Sequence, residues 1–272
     1  MIEFSHVTKR YPDGTAAVDD LSLTVPAHRT TVLVGSSGCG KTTLLRMINR
    51  MVEPTSGRIT IDGADIADRS PVELRRRIGY VMQNGGLLPH RTVAENVATV
   101  PRLNGVGRRE ARTRALELLE VVGLDPALAD RYPAQLSGGQ QQRVGVARAL
   151  AAEPRILLMD EPFGAVDPIV RAELQREVLR LQRELRKTVV FVTHDVDEAF
   201  LLGDHVVVLA KGARPVQQGT PAEIIAQPAD EFVAAFIGAD RGRRELRIRR
   251  TGGAAVVVDG EGRTVGTLAG DG

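Results

Sequence analysis

Residues 30–49 read TTVLVGSSGCGKTTLLRMIN. The first six are β-branched or apolar and close on a glycine, which is the pattern of a buried strand. GSSGCGKT (35–42) follows, with the spacing G-x-x-x-x-G-K-T. Its glycines let backbone N–H groups curl around phosphate oxygens with no Cβ in the way. Lys41 can reach terminal phosphates as a point charge, and Thr42 can offer its hydroxyl to Mg²⁺. TTLLRMIN then has helical spacing. Strand, glycine-rich turn and helix in that order predict a phosphate cradle and an α/β core built around it.

Three further stretches bear on the same chemistry. ILLMDE (156–161) is an apolar run ending in two acids. In an open parallel sheet, ligands sit beyond the carboxyl ends of the strands. That places Asp160 toward the Mg²⁺ of the turn and Glu161 where it can polarise an attacking water. His194 ends the run TVVFVTH (188–194), where its imidazole can hydrogen-bond a terminal phosphate. Gln83, after the strand-like IGYVM, says little by itself. LSGGQQQRVGVARAL (136–150) sets Ser137 and a glycine pair before a helical pattern, a second place for negative charge. One chain has little use for two such sites on one nucleotide. A second copy does: two chains facing head to tail across a two-fold axis close two composite sites.

The chain has 272 residues, 43% hydrophobic and 26% charged, enough for one large domain or a main domain with a small appendage. A net charge of +2 gives no case for a nucleic-acid partner. The basic residues are 32 Arg and only 4 Lys. That skew carries little functional information, but it makes Lys41 conspicuous. A single cysteine, Cys39, excludes an internal disulfide and fits a reducing compartment. No secretory leader and no membrane-spanning run is expected.

HVVVLAKG (205–212) reads as another buried strand. Val170, Leu174, Val178, Leu181 and Leu185 share one face of a helix over 170–185. A second helix opens at Ser70, with Pro71 at its first position and Glu73 closing a capping box. A third covers about 108–122, with Ala111, Ala115, Leu118 and Val122 inward. EFSHVTKRY, LSLTVP and GRITIDG predict antiparallel strands joined by turns such as PDG (12–14). Residues 85–135 are helical and polar with no clear strand. After Asp240 come a basic run, RGRRELRIRR, expected to be a solvated linker, and AAVVVDGEGRTVGTLAG, which reads strand, turn, strand.

Taken in order, GSSGCGKTT, Gln83, LSGGQQQR, ILLMDEP and the strand-terminal His194 closely resemble the ATP-binding cassette of ABC transporters, over about residues 2–238. The resemblance implies an α/β P-loop NTPase core with a mainly parallel sheet, an N-terminal antiparallel β subdomain and a helical signature subdomain over about 85–155. It implies ATP and Mg²⁺ as ligands. Tyr11 would stack on adenine. Gly35, Ser36, Ser37, Gly38, Cys39, Gly40, Lys41, Thr42 and Thr43 would form Walker A, and Leu136, Ser137, Gly138, Gly139 and Gln140 the signature. Asp160 and Glu161 would be Walker B and the catalytic carboxylate, and His194 the switch histidine. Gln83 would touch Mg²⁺ or water and report to the membrane subunit. Asp167 would be the D-loop aspartate, although Gly164-Ala165-Val166-Asp167 departs from the usual Ser-Ala-Leu-Asp.

MINRMVEPTSGRITIDG, ELRRRIGYVMQNGGLLPHRTVAENVATVP and THDVDEA look most like importers of quaternary-amine osmoprotectants such as glycine betaine, choline or carnitine. The implied partners are an integral membrane permease, a second copy of the chain and, indirectly, a solute-binding protein. The implied place is the cytoplasmic face of the membrane. Residues 239–272 resemble a fragment of a CBS-type module, so a complete regulatory pair is not expected. The alternatives are import of another solute such as an amino acid, a soluble cassette ATPase acting on nucleic acid or ribosomes, and a P-loop kinase. LSGGQ has no task in the kinase. The soluble cassettes usually carry two cassettes or a coiled coil, which the 54 positions between Gln83 and Ser137 do not hold.

Overall fold

The apolar runs of the sequence are strands, and the sheet they build is covered on both faces. The computed structural model describes residues 1–83, 85–164, 166–238, 247–251, 254–258 and 264–267. Along the chain lie β1 (Ile2–Arg10), β2 (Ala16–Val25), β3 (Thr30–Gly35), α1 (Lys41–Ile48), β4 (Ser56–Ile61), β5 (Ala64–Asp65), α2 (Pro71–Arg77) and β6 (Ile78–Val81). The helical insertion holds α3 (Val93–Val97), α4 (Thr99–Leu103), α5 (Arg108–Val121) and α6 (Gly138–Leu150). Then come β7 (Ile156–Asp160), α7 (Pro168–Leu185), β8 (Thr188–Thr193), α8 (Val196–Leu202), β9 (His205–Ala210), β10 (Arg214–Gly219), α9 (Pro221–Ala226) and α10 (Glu231–Ile237). Last are β11 (Arg247–Thr251), β12 (Ala254–Val258) and β13 (Thr264–Thr267).

The main sheet has the order β10-β9-β3-β8-β7-β6. Its neighbours run parallel except for β10, which returns antiparallel on β9. Alternation along each strand divides the core. Val32 and Val34 of β3, Val189 and Phe191 of β8, and Leu157 and Met159 of β7 face one apolar cluster with the helical insertion. Leu33, Val190, Val192 and Leu158 face a second cluster with α1 and the N-terminal strands. A sheet buried on both faces needs apolar residues at every position, so these runs show no period of two. The second sheet, β2-β1-β4-β5, is antiparallel, with Gly14 (φ +85°) in the turn between β1 and β2. It covers the first through Ile2, Phe4, Leu21, Leu23, Ile59 and Ile61.

Several local expectations need correction. Ser70 does cap α2 and Pro71 does open it, but the Ser70 side chain accepts no capping bond, so no box with Glu73 forms. The α2 segment is only seven residues long before Ile78 turns extended into β6. On α5 the expected inward face also includes Leu119: Ala111, Ala115 and Leu119 step by four and are fully buried, while Leu118 packs half-buried on the same core. Helix α7 starts two residues earlier than expected, because Asp167 caps it through Oδ1, accepting from the Ile169 and Val170 N–H groups at 3.1 Å each. Strand β9 ends at Ala210, where Lys211–Ala213 forms a 3-10 turn. The basic run is not all linker: Arg247–Thr251 is β11, paired antiparallel with β12, which pairs with β13. Ala165, residues 239–246, residues 259–263 (expected as a turn) and the Leu185 side chain lie outside the described residues.

Candidate active site

The strands β3, β8, β7 and β6 are adjacent and parallel, so their carboxyl ends share one edge. The glycine-rich turn leaves β3, His194 follows β8, Asp160 ends β7, and Gln83 lies two residues past β6. Sequence positions far apart thus converge because one sheet carries them all.

The turn is built by close backbone approach. A Cβ on Gly35 would lie 2.4 Å from the Leu209 carbonyl oxygen, and one on Gly40 (φ +114°) would lie 2.2 Å from that of Ala17. Gly38 (φ +75°) has open space where its Cβ would be, so a ligand can reach the backbone there. The Ala213 N–H donates to the Cys39 carbonyl at 2.6 Å and braces the turn from the 3-10 segment. Lys41 is only 4% exposed, and its Nζ donates to the Gly35 and Ser36 carbonyls at 2.7 and 2.9 Å. Two neutral carbonyls leave its charge uncompensated. The first turn of α1 has no acidic residue. A buried ammonium, a positive helix end and an accessible glycine backbone suit a polyphosphate.

Neighbouring carboxylates at the end of β7 part company. Glu161 has φ +43°, and its N–H donates to the Val192 carbonyl at 3.0 Å. Left-handed backbone at a non-glycine residue costs about 1–2 kcal/mol, and it is commonly retained at functional sites. Here it turns the chain sharply off the strand. Asp160, 6% exposed, accepts from Thr42 Oγ1 at 2.8 Å and from the Tyr80 hydroxyl at 3.1 Å. Glu161 Oε2 instead faces Gln83 Nε2 at 3.4 Å and His194 Nδ1 at 3.2 Å. A carboxylate oxygen accepts, so Nδ1 carries the proton between them and Nε2 is the atom left for another partner. The Gln83 amide nitrogen is used on Glu161, which leaves its amide oxygen for a cation or water. Thr42 and Asp160 together offer a hydroxyl and a carboxylate oxygen, the hard donors Mg²⁺ takes. The pKa of Tyr80 is pushed up to about 12 by burial and by the negative charge of Asp160.

The signature segment stands apart. Ser137 caps α6: its Oγ accepts the Gln140 N–H at 3.2 Å, and Gln140 Oε1 accepts the Ser137 N–H at 3.0 Å. The serine hydroxyl still has its own proton to donate. Gly138 and Gly139 open the helix. Among the described residues, no hydrogen bond joins 137–140 to the glycine-rich turn of the same chain. Tyr11 is 37% exposed beside the turn between β1 and β2, with Lys9 Nζ 5.3 Å from its ring centroid.

A family model described as ABC transporter matches residues 18–164. The chain belongs to the ABC transporter family. It is 53% identical over 241 residues to the choline transport ATP-binding protein OpuBA of Bacillus subtilis (strain 168), covering 89% of this chain and 63% of that protein. It is 51% identical to the glycine betaine uptake system ATP-binding protein YehX of Escherichia coli (strain K12), covering 92% and 79%. The chain spans 63% of the length of OpuBA and so matches only part of that relative. The ABC cassette fold is also that of MJ0796 in its dimeric post-hydrolysis state bound to ADP and Pi, at TM-score 0.74 and 35% identity, covering 81% of this chain and 99% of the other. The same holds for CbiO1 of Clostridium perfringens, at TM-score 0.75 and 32% identity, covering 84% and 91%.

Sequence reasoning passed over four residues that the ABC fold brings to this edge. Tyr80 reaches Asp160. Glu198, 5% exposed, takes the Thr193 hydroxyl at 2.6 Å and Gln175 Nε2 at 3.0 Å directly behind His194. Burial pushes the Glu198 pKa up. Gln142 and Arg148, on one face of α6, bond the loop that carries Gln83. The available signal was polarity inside apolar patterns: Arg148 interrupts VGVARAL, and Glu198 sits beside Ala199 on an inward face.

Proposed function

We propose that this chain is the ATP-hydrolysing subunit of an importer for quaternary-amine osmoprotectants, acting as a head-to-tail pair on a separate permease. The observation that carries the reading is the division of the site. Lys41, Thr42, Asp160, Glu161, Gln83 and His194 share one sheet edge, while the Ser137 cap is a separate anion-binding end with a free hydroxyl proton. A triphosphate held by the turn of one chain takes its remaining donors from the Ser137 cap of the other.

In this reading Tyr11 stacks on adenine, and the backbone of 35–43 with Lys41 holds the β- and γ-phosphates. Thr42 and Asp160 would hold Mg²⁺, and the Gln83 amide oxygen would be a further donor to it. Bound there, Mg²⁺ supplies Lewis-acid polarisation of the phosphate oxygens. Glu161 accepts a proton from water aligned with the γ-phosphate. His194 Nε2 contacts the γ-phosphate, and Nδ1 holds the Glu161 carboxylate in line. Ser137, Gly138, Gly139 and Gln140 close the cage from the partner.

The solute class is supported by kinship with proteins named for choline, glycine betaine and carnitine transport. A separate permease is supported by kinship with proteins named as ATP-binding proteins of transport and uptake systems; among the described residues no helix is long and apolar enough to cross a membrane. A cleft of about 240 Å³ beside the Gln83 loop, lined by Met51, Tyr80, Met82 and Val100, suits a docking segment of that permease at the cytoplasmic membrane face. A solute-binding protein then acts only through the permease, and nucleic acid has no part. Residues 239–272 are read as a CBS-like segment following the cassette at 1–238.

The test is Ser137→Arg. Light scattering with Mg-ATP is expected to show loss of the ATP-dependent dimer, while titration with a fluorescent ATP analogue finds nucleotide affinity nearly intact. Survival of the dimer overturns the composite site.

A further inference from the structure

Helix α6 carries the Ser137 cap at one end, and three of its residues grip the Gln83 loop. Gln142 Nε2 donates to the Met82 carbonyl at 3.4 Å. Gly145 lies so close that a Cβ there would sit 3.3 Å from the Gly85 oxygen. Arg148 donates through Nη1 to the Gly86 carbonyl and through Nη2 to the Gly85 carbonyl, at 2.7 Å each. Positions 142, 145 and 148 step by three and share one face.

The glycine pair explains itself in this contact. Gly85 and Gly86 both hold left-handed backbone, at φ +66° and +57°. Two consecutive left-handed residues aim their carbonyls to the same side, where a planar guanidinium fork accepts both. Only glycine takes that conformation twice without strain. A point-charge ammonium cannot reproduce the paired geometry. Two residues upstream, Gln83 meets Glu161.

We infer that Arg148 is a positioning residue for Gln83, so that α6 ties the place of the Ser137 cap to the contact between Gln83 and Glu161. The inference rests on the proposed ATPase reading for its kinetic consequence. Its structural part is independent. When the cap engages a partner's nucleotide, α6 moves as one rigid rod and carries the 82–86 loop with it. Completion of the partner's cage is thereby linked to the geometry around this chain's own Glu161, with no contact between cap and carboxylate.

The experiment uses the full chain with Arg148→Lys, and Gly85→Ala as a second variant that keeps the arginine but strains the paired carbonyls. Hydrogen exchange of the 82–87 peptide is expected to speed up severalfold in both, with the 36–42 peptide unchanged. The kcat for ATP is expected to fall about tenfold, with KM moving less than about twofold, the mark of an interaction used in the transition state. In the double variant with Gln83→Ala, the losses should not multiply: Arg148→Lys adds nothing once Gln83 is gone. Unchanged exchange at 82–87 overturns the inference, as do losses that multiply. A wild-type chain that hydrolyses no ATP sinks the proposed function instead, and the exchange measurement still decides whether Arg148 holds the loop.

Discussion

Asp160 and Glu161 are chemically near-identical neighbours with different surroundings, and backbone geometry alone assigns them. Asp160 ends the strand, is buried and satisfies Thr42 and Tyr80. Glu161 turns away at φ +43° toward Gln83 and His194. Tyr80 is the unannounced member, and its effect is measurable. Tyr80→Phe removes a hydrogen bond to a charged acceptor, so a stability loss of about 1.5–3 kcal/mol is expected in denaturant unfolding near neutral pH. The pH profile carries a second signature. The folded pKa, near 12, lies above the ordinary value of 10, so the unfolded chain gives up its proton first. The stabilisation is complete below pH 10 and is lost as pH rises toward 12. The variant should show a flatter decline across that window, and matching profiles would remove the Tyr80–Asp160 contact from the account.

At the scale of elements, the signature glycines do two separate things. Gly138 and Gly139 leave the N-terminus of α6 unobstructed, and Gly139 also lets α6 lie against α7. A Cβ at Gly139 would sit 2.5 Å from Cγ1 of Val170. Valine is stiff about χ1 and cannot swing clear. Gly139→Ala is therefore expected to cost about 1–3 kcal/mol by overpacking. Val170→Ala in the same chain should recover much of it, because the two sites share one contact. Thermal unfolding of the single and double variants decides this. Equal melting of Gly139→Ala and wild type would leave that glycine to its backbone role alone. The helices' existence was legible from periodicity: α7 and α5 lie within two residues of expectation. Their caps and inward faces were less so. Ser70 makes no box and Leu119 is buried more deeply than Leu118, because side-chain capping and exact facing depend on neighbours that periodicity does not contain.

At the scale of the whole molecule, the proposed hydrolytic edge and the anion-binding start of α6 lie apart in one chain, as the proposed paired site requires. Glu161→Gln tests the pair as a unit. It keeps the shape of the side chain but not its basicity, so turnover is expected to fall by about 100-fold or more. The chain should then accumulate as an ATP-loaded dimer on size-exclusion chromatography. Normal turnover would remove Glu161 from the general-base role, and a monomer at every ATP concentration would contradict the shared site.

The amino-acid order by itself determined the strand–turn–helix at 30–49, the apolar strands and the antiparallel entry strands, and it pointed to most residues of the proposed site. These are local matters of φ freedom, periodicity and the chemistry of single side chains. Only the tertiary structure decided which of them meet. Parallel pairing of β3, β8, β7 and β6 brings residues more than a hundred positions apart to one edge, and the positive φ at Glu161 sends two adjacent acids to different hydrogen-bond partners. The grip of Arg148 on Gly85 and Gly86 was invisible in either segment read alone. A paired hydrogen bond between a helix and a loop sixty residues away exists only once the sheet has fixed the distance between them.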